Sequence, residues 1–579
     1  MKIYSTIFKM FLIAAVFTFS SCETVDLNQT ENPSSVNSNL LNPVYAFNYV
    51  QLQLPEFVNS TNSFTQRITR QMAMTGGSTY DNAFAPVNFD GHWSTAYNLL
   101  NAIKVMEPKA IEGNQNYILG ASKVIRCYVL MTLVDVYGDI PYTEALQGSA
   151  NITPHFDSGA DVYAGILTEL DEAIATLQLA NQGDAVTDLY YSSQAQWITL
   201  ANTLKLKMYN NCNLLSTIGT HNVATEMNAI IAGGNYIDTP AEDFTFKYGS
   251  SQQSPNTRHP LYNDQYELGG GAYIGNYMMW AMTTEKPATT AFANTIDQPG
   301  DPRVDFYFYR QHADPSAYKA DQFTLPGRTR PEHYNYPQYS SFYSTSIGTP
   351  YTVSNWTGQS EMPAKGFWGR DHGNNSGIPQ DSDKRTVAGV YPIGGAYGAA
   401  GSVQTGGTKG AKGAGIMPIL LSSWVHFMKA EAIANGIITG DAKAEMITAI
   451  TQSIDKTTTC IPVAAPGLSA ADIADIAVNK QKYLDYISTT YDGLNTAKRL
   501  ELIMKEYYIA AWGNGIEPYN NYRRTGYPSN FQPTLEPNAG AFYNCAYYSG
   551  NCVNNNPNAP TNDRFRKVFW AVPNTKVLF

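Results

Sequence analysis

Two blocks of apolar residues spaced three and four apart, separated by a long stretch in which that spacing dissolves, constrain the fold of this chain more than any other feature. In the first block Val162, Ile166, Leu170, Ala173 and Leu177 step along one face, and Ser158 with Asp161 three residues on supplies a start signal for the helix. The same rule gives a second helix, capped by Ser193 and answered by Gln196, with Trp197, Ala201, Leu204 and Met208 as its inner stripe and Lys205 and Lys207 facing outward. Further helices are expected over 93–106 and 118–136, and a second block over 419–434, 442–454, 469–486 and 497–512. From about 233 to 415 the periodicity gives way to Gly, Pro, Asn, Ser and aromatic residues, least regular over 394–415. The expected class is therefore mainly α. Antiparallel helix pairs fill 36–232 and 416–530, and a loop-rich region over 233–415 with a few short strands carries the binding surface, because long loops over a rigid scaffold are where function concentrates.

The first 21 residues read as a leader. Lys2 and Lys9 form a basic start, Met10 to Phe19 a short apolar stretch, and Ser20-Ser21 stand directly before Cys22. Ten apolar residues are too few to span a bilayer, which needs about 20. The pattern predicts lipidation at Cys22, with an ordinary secretory signal as the alternative. Several acyl chains at about 0.8 kcal/mol per buried CH₂ would make a durable anchor. Residues 22–35 are polar and poor in core formers, as a flexible tether would be, so the folded body is expected over 36–579. No later apolar run approaches a membrane span in this reading. Besides Cys22 there remain Cys127, Cys212, Cys460, Cys545 and Cys552, an odd number that cannot all pair. Cys545 and Cys552 flank a loop whose length suits a local disulfide as well as it suits two free thiols, whereas Cys127 and Cys212 fall inside apolar stripes as small buried hydrophobes.

Charged residues make up only 15% of the chain, while Tyr numbers 40, Gly 45 and Pro 31. A surface polar through amides and hydroxyls rather than charge suits neutral, hydroxyl-rich ligands, and the net charge of −10 disfavours nucleic acid. Binders of such ligands stack aromatic rings on sugar faces and hydrogen-bond with Asn, Asp, Gln and Arg. The candidates are Tyr80, Asn82 and Trp93 in and behind the first irregular segment, Tyr273, Tyr277 and Trp280 after the Gly269-Gly270-Gly271 turn, and Trp356, Trp368, Arg370 and Asp371 in the central excursion. Trp197 and Trp424, on helical stripes, are assigned to the core. Asp371, Asn374, Asn375, Asp381 and Asp383 offer oxygens for a structural Ca²⁺, although their spacing does not fit an EF-hand. Arg523 and Arg524 suit either a ligand carboxylate or a buried ion pair with a helix such as that bearing Glu431. The eight histidines are scattered, and no His-Glu-x-x-His, Cys-x-x-Cys, Gly-x-Ser-x-Gly or Walker A motif occurs.

The helix over 118–136 runs into Tyr137-Gly138-Asp139-Ile140-Pro141-Tyr142, where Gly138 can end the helix and Pro141 forbids its resumption. This run resembles the signature of the SusD/RagB family of outer-membrane nutrient-binding lipoproteins. The resemblance continues at Pro154-His155-Phe156-Asp157-Ser158, at Ala201-Asn202-Thr203-Leu204, at Gly369-Arg370-Asp371-His372-Gly373, at Gly389-Val390-Tyr391-Pro392 and at Arg523-Arg524-Thr525-Gly526-Tyr527-Pro528, in the manner of the SusD-like group two branch. It implies tetratricopeptide-like helix pairs, placement on the outer face of the outer membrane, and service as a lid over a SusC-like TonB-dependent transporter. It also implies capture of oligosaccharide, or in some relatives peptide, with no cofactor and no catalysis. A glycoside hydrolase with two carboxylates and a surface scaffold without a small ligand are the competing functions.

Overall fold

The first helix, α1 (Pro43–Ile68), starts where the Asn42 side chain accepts the Val44 N–H at 2.8 Å and Pro43 occupies the first turn. In this computed structural model the described residues are 42–74, 84–183, 186–267, 272–283, 285, 300–311, 367, 369–370, 372–373, 386–394, 410–460, 468–532, 534 and 542–571. The leader, Cys22 and the tether lie outside them. The helix continues through Pro55, whose missing N–H would have served the Gln51 carbonyl; the Tyr190 hydroxyl donates to that carbonyl instead, at 2.8 Å.

After α1 come α2 (Asp90–Glu112), α3 (Asn116–Tyr137), α4 (Gly159–Gln178), α5 (Gln194–Asn211), the small hairpin β1 (Thr217–Ile218) and β2 (His221–Asn222), and α6 (Val223–Gly233). From α1 to α6 each helix packs on its neighbour in sequence. The expected caps form: Ser158 accepts the Asp161 N–H and Ser193 the Gln196 N–H. Gly138 ends α3 at φ +84, its N–H reaching the Val134 carbonyl at 2.8 Å. By length and mean hydropathy α3 would cross a bilayer, against the sequence reading that no such run exists. Most of it is buried against α2, α4 and α5, so its apolar character belongs to the core.

The excursion leaves and returns at one place. Strand β3 (Phe244–Lys247) pairs antiparallel with β6 (Ile416–Leu420), Phe244 opposite Leu420. Between them lie α7 (Asn276–Met282) and the pair β4 (Phe308–Tyr309) and β5 (Val387–Ala388). Ile419 is thus a strand residue, and the helix expected over 419–434 begins only at Ser422. The second helical group is α8 (Ser422–Ala434), α9 (Ala442–Thr458), α10 (Ala470–Asp492), α11 (Thr496–Ala510), α12 (Ile516–Thr525) and α13 (Gly550–Asn555). Here α8 packs on α9, α9 on α10 and α11 on α12, while α12 also meets α1. The fold is mainly α with tetratricopeptide-like pairs, as expected.

Buried charges tie the two groups together. Arg524 on α12 forms a two-pronged ion pair with Glu431 on α8, both contacts 2.6 Å, and Asn210 and Asn213 donate to the same carboxylate. Arg523 instead lies over the Tyr519 ring and donates to the Asp135 and Asn544 carbonyls. Lys207 corrects an expectation: it is 2% exposed and paired with Glu517 at 2.5 Å. Its spacing of three from Leu204 puts it on the inner face of α5. Trp197, Trp424 and Cys212 are fully buried and Cys127 nearly so, as read from the stripes. Cys545 and Cys552 are free thiols, against the suggested bridge. Cys545 is buried where Ala546 N–H meets the Val136 carbonyl at the end of α3, whereas Cys552 is held separately on α13 by the Ser549 cap.

Candidate functional site

One face of α1 is buried through Phe47, Val50, Leu54, Phe57 and Phe64, which leaves Glu56, Asn59, Ser60, Ser63 and Arg67 along the other at steps of three, one, three and four. That polar line is the shared wall of two cavities. The larger, about 360 Å³, opens between α1, the turn at Phe84–Phe89 and the first turn of α2, with Phe64, Phe84 and Phe89 as its apolar floor. The floor is rigid. Phe64 meets Phe84 and Phe89 edge to face at 5.1 and 5.4 Å. The smaller cavity, about 170 Å³, lies between α1 and segments that the excursion brings back, namely His259, Asp264, Gly389 and Met417, with Gly513 beside them. Asn59, Ser63 and Arg67 line both.

The titratable groups here are set by burial. His92, at the back of the larger cavity, bridges Thr61 (2.9 Å) and the Tyr137 hydroxyl (2.7 Å) and stacks on Phe57. Its pKa is lowered to about 3 by burial, so it stays neutral and holds α1 to α2 and α3. His259 in the smaller cavity is likewise pushed down to about 3 by burial. Glu56, on the outer rim, has its carboxyl raised by partial desolvation, and half-buried Arg67 has its pKa lowered by the same cause.

A knot of bridges forms the end of the smaller cavity. Met72 pairs with Ile274 and Gly275 with Arg370, so three segments far apart in sequence meet beyond the end of α1. A Cβ on Gly275 would strike the Arg70 carbonyl, and one on Gly369 the Ile274 carbonyl, which is why both approaches need glycine. Met72 and Ala272 line the cavity, and next to them the Arg370 guanidinium sits 4.4 Å over the half-buried Tyr273 ring. The structure therefore brings together Tyr273 and Arg370 of the expected ligand set.

It removes two others. Tyr277 and Trp280 are 0% and 2% exposed, with no ring face open to a ligand. Both rings face the Lys505 ammonium, at 4.4 and 5.2 Å, and Lys505 pairs with Glu285 at 2.8 Å. These aromatics shield a buried cation. Trp93 is half-buried in a cluster with Tyr97, Tyr137, Phe156 and Tyr548, on α2 beside the residues that line the larger cavity. Tyr80, Asn82, Trp356, Trp368 and Asp371 lie outside the described residues, as do Asn374, Asn375, Asp381 and Asp383. Among the described residues no group of three or more His, Cys, Asp or Glu side chains is placed to hold a metal ion. The α1 line itself was not anticipated, although the Asn42-Pro43 start and the apolar spacing that follows carry its signal.

The family model described as "Starch-binding associating with outer membrane", SusD-like 2, matches residues 28–347 and 373–546. No curated protein matches the chain by sequence. Among solved structures, a SusD/RagB family protein from Bacteroides thetaiotaomicron is similar at a TM-score of 0.62 and 16% identity, covering 92% of this chain and 99% of that one. A chitin-binding SusD homologue from Flavobacterium johnsoniae is similar at 0.60 and 17%, covering 92% and 98%. A SusD homologue from Bacteroides fragilis reaches 0.57 and 19%, covering 90% and 98%. At these identities the likeness shows the fold, while the match of the family model over most of the sequence shows that the chain belongs to the SusD-like 2 family.

Proposed function

We propose that this protein is a lipid-anchored nutrient-binding protein of the outer membrane that holds an oligosaccharide in the α1 groove and passes it to a SusC-like TonB-dependent transporter. The observation that carries the reading is the groove. Asn59, Ser60 and Ser63 present amide and hydroxyl groups along one wall over a floor of phenylalanine rings, which matches the hydroxyl edges and apolar faces of a sugar. Among the described lining residues each cavity carries one carboxylate, Glu56 in the larger and Asp264 in the smaller, whereas glycoside hydrolysis uses two placed about 5 to 9.5 Å apart. That arrangement favours retention of a ligand over its cleavage. The family's association with the outer membrane and the chitin-binding relative point the same way. Tyr273 and Arg370 border the site, and Trp93, Tyr80, Asn82, Trp356, Trp368 and Asp371 are proposed to extend it. Cys22 supplies the anchor and residues 22–35 the tether.

The test is calorimetric titration of the full chain, purified in detergent, with malto- and chito-oligosaccharides, followed by chromatography of the titrant. The expected result is saturable binding with the oligosaccharide recovered intact. Absence of binding to these and to acidic oligosaccharides alike, or shortened product, would overturn the reading.

A further inference from the structure

Arg67 stands apart from the other enclosed arginines of this protein. Arg524 is engaged by Glu431 and Arg303 by Asp301 and Glu506, each within 3 Å. Arg67 is half-buried in the last turn of α1 and among the described residues makes no hydrogen bond or ion pair through its side chain, yet it lines both cavities at their junction. A helical side chain of this length projects back over the preceding turn, which here carries Ser63 and, one turn further, Asn59. The other basic groups in the two linings, His92 and His259, are neutral. Arg67 is therefore the one fixed positive charge among the described lining residues. Burial is what lowers its pKa, with no carboxylate beside it to offset the loss of water.

We infer, on the reading of the groove given above, that its oligosaccharide carries a carboxylate, as a uronic-acid-containing glycan does, and that Arg67 binds that acid. A guanidinium presents a planar fork of N–H groups that donates two parallel hydrogen bonds to a carboxylate, and partial enclosure strengthens the attraction relative to open water. The hydroxyl and amide groups of Asn59, Ser60 and Ser63 on either side suit sugar hydroxyls next to the acid. Glu56 lies about 16 Å along the helix axis from Arg67, beyond the screening length of roughly 8 Å at physiological salt, so it does not repel an acid bound there. Asp264 forms no ion pair with Arg67.

The test compares tetragalacturonate with its fully methyl-esterified form, which removes the charge and adds a methyl group to each acid, on the full chain in detergent; the dependence on Arg67 separates the charge from the methyl. The wild type is expected to bind the acid at least about ten-fold more tightly. The Arg67→Gln variant should lose that preference while keeping its affinity for the ester, and Arg67→Lys should retain part of it. Raising the salt should shrink the preference in the wild type and what remains of it in Arg67→Lys, and leave Arg67→Gln unchanged. Thermal unfolding of both variants, expected to match the wild type, establishes that they are folded. Equal binding of acid and ester, or an unchanged preference in Arg67→Gln, overturns this inference and leaves oligosaccharide binding intact. An Arg67-dependent preference for a peptide with a free C-terminal carboxylate over its amide, with neither galacturonide bound, overturns the glycan class. Silence towards every glycan tested, neutral or acidic, overturns the proposed function along with it.

Discussion

Replacing Glu431 by Gln keeps the shape of a fully buried side chain and removes its charge, which isolates what the α8–α12 ion pair contributes. Glu431 receives the Arg524 fork through two contacts of 2.6 Å and the Asn210 and Asn213 amides at 3.1 and 3.0 Å. A glutamine there turns an N–H group towards donors on at least one side, and it leaves the Arg524 charge in the interior hydrogen-bonded to neutral oxygens alone, those of Asn211 and Asn521 and the one the glutamine retains. Losing one partner of a buried pair costs about 3 to 5 kcal/mol, most of it the stranded charge. With an unfolding entropy of about 2.1 cal/mol/K per residue, a chain of 579 residues that melts as a unit has an entropy near ~1.2 kcal/mol/K, so the midpoint should fall by about 3 °C. Differential scanning calorimetry reads this directly. The double variant Glu431→Gln, Arg524→Met should cost about 2 kcal/mol less than the two single changes added together, because neither charge is then stranded. A midpoint for Glu431→Gln within half of the predicted shift of wild type, or costs that simply add, would refute the argument.

Three further outcomes follow from particular contacts. Tyr190→Phe withdraws the hydroxyl that serves the Gln51 carbonyl left open by Pro55, and should cost about 1 to 2 kcal/mol in denaturant titration, whereas the same change at exposed Tyr45 should cost nothing measurable. His92 and His259, each near pKa 3 when folded against about 6.5 unfolded, bind more protons in the unfolded chain between those values. Their contribution is complete above pH 6.5 and is lost as pH falls towards 3, about 2 kcal/mol from each by pH 5, and His92→Gln should flatten the fall in melting temperature over that window. Gly275→Ala drives a methyl into the Arg70 carbonyl, so it should cost more than about 2 kcal/mol by the same denaturant assay and weaken ligand binding through the displaced cavity end.

What could be read from the sequence was what is decided locally. Ser158 and Ser193 sit where their helices begin because a cap and the stripe that follows lie within a few residues of each other. The Arg524–Glu431 pair was legible as one of two alternatives, since two adjacent arginines on a helix amid aromatic residues must be matched by charge or exposed. Lys207 was misread because a basic residue suggests solvent, although its step of three from Leu204 pointed inward. Tyr277 and Trp280 were misread for a related reason. Behind a glycine turn they looked like loop aromatics, and only the distant Lys505 shows why they are enclosed. The α1 groove was illegible because its second wall comes from His259, Gly389, Met417 and Gly513, which sequence distance cannot bring together.

Ser63 is exposed at the junction of the two cavities, so a large side chain placed there fills the groove without entering the core. The most direct measurement is therefore calorimetric titration of a saturating oligosaccharide into the wild type and into Ser63→Trp, with both shown to melt at the same temperature. The account predicts saturable binding in the wild type and its loss in Ser63→Trp. Equal affinity in the two proteins would place the ligand elsewhere and contradict the central claim.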